Sequence, residues 1–290
     1  MKVVIIAGPA SSVAYLQLSS SRADTTSASP STGVNSLTGE GLREVLTRAN
    51  VVVDVTNSPS FEDNAVLEFF RRSTGHLLGA AAAAGVFHYI ALSVVGSDRI
   101  PNSGYLRAKR VQEGLIEAGG VPYTVLRATQ FFEFLNAIAD GGTEGNVVYM
   151  SPSEFQPVAA DDVAATLAEI ATAQPKNGFV ELAGPEASSM AEFIQSFLSS
   201  MGDERKVIPD PMRSTSERSS TKAALPPRAI SLLDRHALPI GHAPNAELPH
   251  QKESHREENL FAAAGRHLTA IDKCGNAGDE CPSVESVESL

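Results

Sequence analysis

The chain has 290 residues, with 23 Lys and Arg against 34 Asp and Glu for a formal charge of -11; 42% of residues are apolar and 20% charged. It is long enough to bury one large core or two small ones, and too acidic to favour phosphate backbones or an anionic membrane surface, so neither nucleic acid nor membrane is expected as a partner. No apolar run approaches the roughly 18 residues of a membrane span, the longest, Leu77 to Val86, being mostly alanine with glycine. The opening Val3-Val-Ile-Ile-Ala7 reads as a buried strand rather than a secretory segment, and the two cysteines, Cys274 and Cys281, sit in a C-terminal tail where they staple no core. Both features point to a reducing, cytoplasmic setting.

The first strand is expected at Val3 to Ile6 and runs into Gly8. The next stretch, Pro9 to Thr32, holds eleven Ser or Thr among twenty-four residues, too many competitors for backbone hydrogen bonds to make a good helix. Helical and strand patterns then alternate: helix Glu40 to Thr47, strand Val51 to Val55, helix Glu62 to Ala84, strand Phe87 to Leu92, helix Tyr105 to Glu117 and strand Tyr123 to Leu126. Helices Phe131 to Ile138 and Asp161 to Ala173, strand Phe179 to Leu182 and helix Met190 to Ser200 follow, the last opened by the capping box Ser189-Met-Ala-Glu192. Most of the strands are short, β-branched and apolar throughout, as strands covered on both faces are. The expected class is α/β, a doubly wound parallel sheet whose ligand site lies at the carboxyl ends of the strands.

Residues 1–150 are expected to form the main core, with 9–32 as an atypical insert, and residues 151–212 a small second lobe. Residues 213–290 differ: they hold five of the seven histidines, both cysteines, and breaks at Leu225-Pro-Pro227 and Ala243-Pro244. A low-order extension with one short helix near Glu257 to His267 is expected there.

Chemistry concentrates at Ser93, which ends the fourth strand, and at Tyr105 and Lys109. Four residues apart on a helix, the tyrosine and lysine share one face, so the ammonium can approach the phenol, favour its ionised form and make it a usable acid, with Ser93 holding a substrate oxygen alongside. Against this stands the frequency with which a Tyr and a Lys fall at helical spacing by chance. Other candidates have plainer readings. Asp54, inside an apolar strand, serves as a hydrogen-bonding group near the strand end or as a buried functional acid. Asp161 and Asp162 open a helix, where capping explains them better than a metal. His88 reads as a satisfied core or surface histidine, and Phe131, Phe132 and Phe134 as core packing or a pocket cover. His267, Cys274 and Cys281 match no common zinc spacing, and Arg71-Arg72 and Lys109-Arg110 are solvated helix faces.

Taken in order, Val51-Val-Val-Asp54-Val-Thr-Asn57-Ser-Pro-Ser-Phe, Ala91-Leu-Ser93-Val-Val-Gly96, Tyr105-Leu-Arg-Ala-Lys109, Val121-Pro-Tyr-Thr-Val-Leu-Arg127-Ala-Thr-Gln-Phe-Phe and Glu181-Leu-Ala-Gly-Pro-Glu186 resemble the atypical short-chain dehydrogenase/reductases of the NmrA-like, NAD(P)-binding kind. The resemblance covers the first strand and about Gly33 to Asp210. It implies a Rossmann-like fold in which residues 1–150 bind NAD(P) and residues 151–212 form a small substrate lobe, and a Ser93, Tyr105, Lys109 trio, with Lys109 also bonding the nicotinamide ribose and Asn57, Ala128 and Thr129 lining the cofactor cleft. Where the family has Gly-x-x-Gly-x-x-Gly, this chain has Gly8-Pro-Ala-Ser-Ser-Val-Ala14, so Gly8 alone remains to face the pyrophosphate. The cofactor-selecting position falls at Ser29 or Ser31, without a carboxylate, which favours NADP while leaving NAD possible. The abrupt change of character in 9–32 and after Pro211 reads as substituted or frame-shifted sequence. The expected function is NAD(P)H-dependent reduction of a small carbonyl or enone substrate; the alternative is a non-catalytic NAD(P)-sensing regulator that binds a protein partner.

Overall fold

The computed structural model describes residues 1–7, 24–99 and 103–212, all within the unit Met1–Ala237. Gly8, most of the Ser/Thr-rich insert, and everything expected of 213–290, including His267, Cys274 and Cys281, lie outside the described residues. In chain order the elements are β1 (Lys2–Ala7), β2 (Asp24–Ala28), α1 (Leu42–Val45), β3 (Val51–Val55), α2 (Asp63–Ala84), β4 (His88–Val94), α3 (Gly104–Ala118) and β5 (Tyr123–Ala128). Then come α4 (Leu135–Gly141), β6 (Thr143–Glu144), β7 (Val147–Met150), β8 (Glu154–Phe155), α5 (Ala160–Thr172), β9 (Gly178–Leu182), β10 (Ser188–Ser189), α6 (Met190–Ser200) and β11 (Lys206–Pro209).

Six strands form one parallel sheet in the order β2-β1-β3-β4-β5-β9. Alternation along each strand sends one set of side chains to each face. Val4, Ile6, Val52, Tyr89, Ala91 and Val125 pack under the helices α2 and α3. Val3, Ile5, Val53, Ile90, Leu126 and Ala128 pack against α5 through Val163, Ala164 and Leu167. Both faces are covered, which is why the strands read as continuous apolar runs, and the doubly wound α/β class expected from the sequence is the observed one. The chain runs outward from β1 to β2 and then crosses back to β3, so the order reverses between β1 and β3, and their carboxyl ends flank the crevice where such sheets bind ligands.

Four local differences have physical causes. The second strand, β2, forms inside the insert although Asp24-Thr-Thr-Ser-Ala28 lacks an apolar run; pairing with β1 and the burial of Ala28 override weak propensity at this sheet edge. The helix expected at Glu40 to Thr47 shrinks to α1, because Gly41 takes a left-handed φ of 71° and a Cβ there would lie 2.3 Å from the Gly33 carbonyl oxygen. The helix expected at Phe131 to Ile138 divides into a short 3-10 turn, Phe132–Phe134, followed by α4. Finally, the lobe is not the continuous segment 151–212. Its core joins Leu135, Ala139, Val148 and Met150 to Phe155, Ile194 and Leu198, whereas α5 and β9 belong to the main sheet.

Candidate functional site

Asp54 is the one charged residue of β3, and its side chain is 1% exposed. Burying a carboxylate requires that its lone pairs be filled, and here they are. Oδ1 accepts from the Thr56 backbone N–H at 3.0 Å and from its hydroxyl at 2.7 Å; Oδ2 accepts from Tyr89 Oη at 2.8 Å and Gln112 Nε2 at 3.1 Å. The turn after Thr56 leaves Asn57 exposed at the carboxyl rim of β3.

Helix α3 starts at a Ser103 cap, whose hydroxyl accepts from Leu106 N–H at 3.3 Å. Tyr105, Lys109 and Gln112 then recur on its inward face. The Tyr105 ring sits against Phe61 and Phe70, with centroids 5.7 and 6.0 Å away, and its hydroxyl donates to Asn57 Oδ1 at 3.1 Å. Asn57 Oδ1 also accepts from the Ser58 backbone N–H at 3.0 Å, which fixes its direction. Burial pushes the Tyr105 phenol up to about 12. This corrects the expectation that Lys109 makes it more acidic: the ammonium donates instead to the Leu92 carbonyl at 2.8 Å and to Gln112 Oε1, and lies 4.3 Å above the Phe70 ring. Burial lowers the Lys109 ammonium to about 8, against the charges of Asp54 and Glu113, which hold it up.

Ser93 has a hydrogen-bond partner of its own inside the core. In β4 it shares the face of Tyr89 and Ala91, and its hydroxyl donates to Glu113 Oε1 at 2.7 Å. Glu113, fully buried on α3, also accepts from Ser97 at 3.0 Å and from both Arg127 Nε at 2.9 Å and Arg127 Nη2 at 2.8 Å. Burial pulls the Glu113 pKa up, but the Arg127 and Ser93 hydrogen bonds outweigh it and leave it below the usual carboxylate range. Arg127 is further held by Asp98 and lies 4.3 Å from the Phe179 ring. Ser93 thus belongs to a buried ionic cluster that ties α3 to β4 and β5. Gln112, Glu113 and Arg127 were not singled out by the sequence reading, although two polar residues in the inward stripe of a helix and an arginine in an apolar strand are the signal of such a cluster.

Ala128 ends β5, buried, and Thr129 follows it. The Thr129 hydroxyl is buried without a hydrogen-bond partner among the described residues, a vacancy that a ligand's polar atom at this rim would fill. Exposed Asn57 stands at the same rim two strands away, roughly 10 Å at ordinary strand spacing. Ser29 follows β2, its hydroxyl 2.7 Å from that of Ser31, and the groove beside this strand end is lined by Thr32, Gly33, Glu40 and Glu44.

The remaining candidates are structural. His88 is buried and bonded through Nε2 to the Thr124 hydroxyl at 2.8 Å. Asp161 and Asp162 occupy the first turn of α5, but the Glu133 carboxylate reaches its first N–H, at Ala160, 3.1 Å away. Phe131 stacks on Phe134 at 5.9 Å, and Phe132 meets Phe193 at 5.7 Å. Among the described residues no group of three or more His, Cys, Asp or Glu could hold a metal, and no helix is long and apolar enough to cross a membrane.

The chain is similar to several known proteins. Photosystem II assembly factor Ycf39 of Cyanophora paradoxa is 27% identical over 96 residues, which are 33% of this chain and 30% of that protein. Among solved structures, the dTDP-4-dehydrorhamnose reductase of Bacillus anthracis in complex with NADP superposes with a TM-score of 0.61 at 14% identity, over 73% of this chain and 86% of that one. The NADPH-dependent quinone oxidoreductase of Escherichia coli, complexed with NADPH, gives 0.58 at 17% identity over 76% and 89%. The triphenylmethane reductase of Citrobacter, complexed with NADP(H), gives 0.53 at 14% identity over 71% and 79%. At these identities the superpositions carry the fold. The family model described as NAD(P)H-binding matches residues 18–174, more than half of the sequence, and the chain belongs to that NAD(P)H-binding family.

Proposed function

We propose that this protein is an NADPH-dependent reductase of the atypical short-chain dehydrogenase kind, acting in the cytosol on a small carbonyl or enone. The observation that carries the reading is the Tyr105 hydroxyl, held by Asn57 at the rim beside the reversal of strand order in an NAD(P)H-binding chain. Bound NADPH supplies the hydride. Tyr105 Oη, released from its hydrogen bond to exposed Asn57, delivers the proton to the substrate oxygen. Its raised pKa keeps the phenol protonated at neutral pH, and a phenol at about 12 is still the stronger acid beside an alkoxide, whose conjugate acid resembles water at roughly 15.7.

Thr129 and Ala128 line the nicotinamide end, Lys109 lies near the ribose, and Gly8 remains the phosphate-turn glycine. Ser29 and Ser31, at the end of β2, receive the adenosine ribose, where their hydroxyls can bond a 2′-phosphate. Ser93, whose only proton goes to Glu113, acts as support and not as a substrate ligand. The test is consumption of NADPH by the purified protein with a panel of quinones, enones and aldehydes, and its loss in Tyr105→Phe. Undiminished turnover in that variant overturns the assignment. Saturable NADPH binding with no turnover on any carbonyl favours the sensing regulator.

A further inference from the structure

Asp54 and Lys109 are opposite charges, 1% and 3% exposed, and one amide lies between them. Gln112 Oε1 accepts from the Lys109 ammonium, and Gln112 Nε2 donates to Asp54 Oδ2 at 3.1 Å. The amide dipole therefore points its oxygen at the cation and its N–H at the anion, the orientation that stabilises both. A side-chain amide can be built either way round; Asp54 accepts only, Lys109 donates only, and together they leave Gln112 one orientation. The spacer also has a geometric effect. A direct ion pair would draw the ammonium down towards Asp54 in β3, whereas the interposed amide keeps it on the Leu92 carbonyl, one residue before Ser93 at the end of β4.

We propose that Asp54 and Gln112 are positioning residues for Lys109: the aligned Gln112 amide sets the height of the ammonium at the strand rim and, by transmitting the Asp54 charge, keeps it protonated for a hydroxyl-bearing nucleotide ligand. The proposal rests on the reading of this rim as the NADP site. Of the three ammonium donors, two are taken by Leu92 and Gln112, which leaves one for the ligand. The groups that face Lys109 are Asp54 from β3, Tyr89 of β4 through Asp54, Tyr105 and Glu113 on its own helix, and the uncharged Phe70 ring of α2. Burial without Asp54 would favour the neutral amine more strongly.

The test follows the isotope-labelled side-chain nitrogen of Lys109 by NMR through a pH titration of the full chain, assigned with Lys109→Arg. In Asp54→Asn, isosteric and still able to accept from Thr56, the midpoint falls by about one pH unit or more. Gln112→Met, which breaks the chain at its centre, moves the midpoint the same way and supplies the answer if Asp54→Asn does not fold. An unchanged midpoint in either folded variant overturns the proposal. Calorimetric titration of the wild-type chain with NADP is run alongside: absence of binding overturns the cofactor reading and with it the ligand named here, whereas NADP binding with an unmoved Lys109 midpoint overturns the relay alone.

Discussion

Tyr105 Oη donates to Asn57 Oδ1 at 3.1 Å, so the proton of the candidate acid is directed by a residue from the loop after β3 and not by the serine that ends β4. The bond joins the helix that carries the phenol to the strand end beside which the sheet order reverses. Two exposed residues thus meet Tyr105, Asn57 at its hydroxyl and Phe61 at its ring.

If Asn57 directs the phenol, Asn57→Ala lowers the turnover number with NADPH about tenfold, the loss of roughly 1.4 kcal/mol expected for one hydrogen bond that orients a reacting group. Its melting temperature falls by only a few degrees, because exposed Asn57 loses hydrogen bonds but fills no core space. Steady-state kinetics and a thermal melt on the same preparation check both halves. Equal turnover in the two proteins would remove Asn57 from the site.

Glu113 gives a contrasting prediction, large in stability. Replacing it with Ala leaves the buried Arg127 guanidinium without its bidentate partner and costs about 3 kcal/mol or more in urea unfolding, whereas Ser93→Ala, which removes one of several donors, costs about 1 kcal/mol. The folded Glu113 pKa lies below its ordinary value, so the stability it contributes is complete above the ordinary carboxylate range and disappears as pH falls through the depressed value. The Glu113→Ala protein lacks that acid-limb dependence. Turnover in Ser93→Ala remains within a few fold of wild type; a collapse there would return Ser93 to the chemistry.

The contrast shows what one sequence discloses and what it withholds. The strands β1, β3, β4, β5 and β9 were legible because strands covered by helices are mostly apolar, and edge strand β9, although only partly buried, keeps an apolar run. The shared face of Tyr105 and Lys109 was legible from their spacing. That Ser93 turns to Glu113 was not, because it depends on how strand parity in β4 meets helix phase in α3, and on Arg127 arriving from β5 in register with Ser93. The direction of the Tyr105 shift failed for a similar reason: spacing brings Lys109 to the right face, but Gln112 and the Leu92 carbonyl take its hydrogen bonds while burial acts on the phenol unopposed. β2 escaped notice because its five residues have little strand propensity apart from their pairing with β1.

At the end of β2, Ser29→Asp tests cofactor choice without touching the catalytic rim. A carboxylate there faces the 2′-phosphate of NADP as a like charge and can accept from the free 2′-hydroxyl of NAD. NADP affinity falls about tenfold or more while NAD affinity holds or rises, read by calorimetry with each nucleotide. A parallel fall for both nucleotides would place the adenosine ribose elsewhere.

His88 predicts an acid limb of its own. The imidazole is buried and burial lowers its pKa from 6.5 to about 4, so the folded chain keeps it neutral where the unfolded chain protonates it. Between those two values unfolding takes up a proton, and stability therefore falls as pH drops from about 6.5 towards 4, by about 3 kcal/mol at the end of the window. Above 6.5 the histidine is neutral in both states and contributes no slope. Urea unfolding free energies measured at intervals across this range show the decline in the wild-type chain. In His88→Gln, which retains an amide able to bond the Thr124 hydroxyl but takes up no proton, the part of the slope between 6.5 and about 5 flattens, above the range where carboxylates titrate. An unaltered slope there would mean that His88 is protonated within the fold and that its bond to Thr124 is not the neutral one.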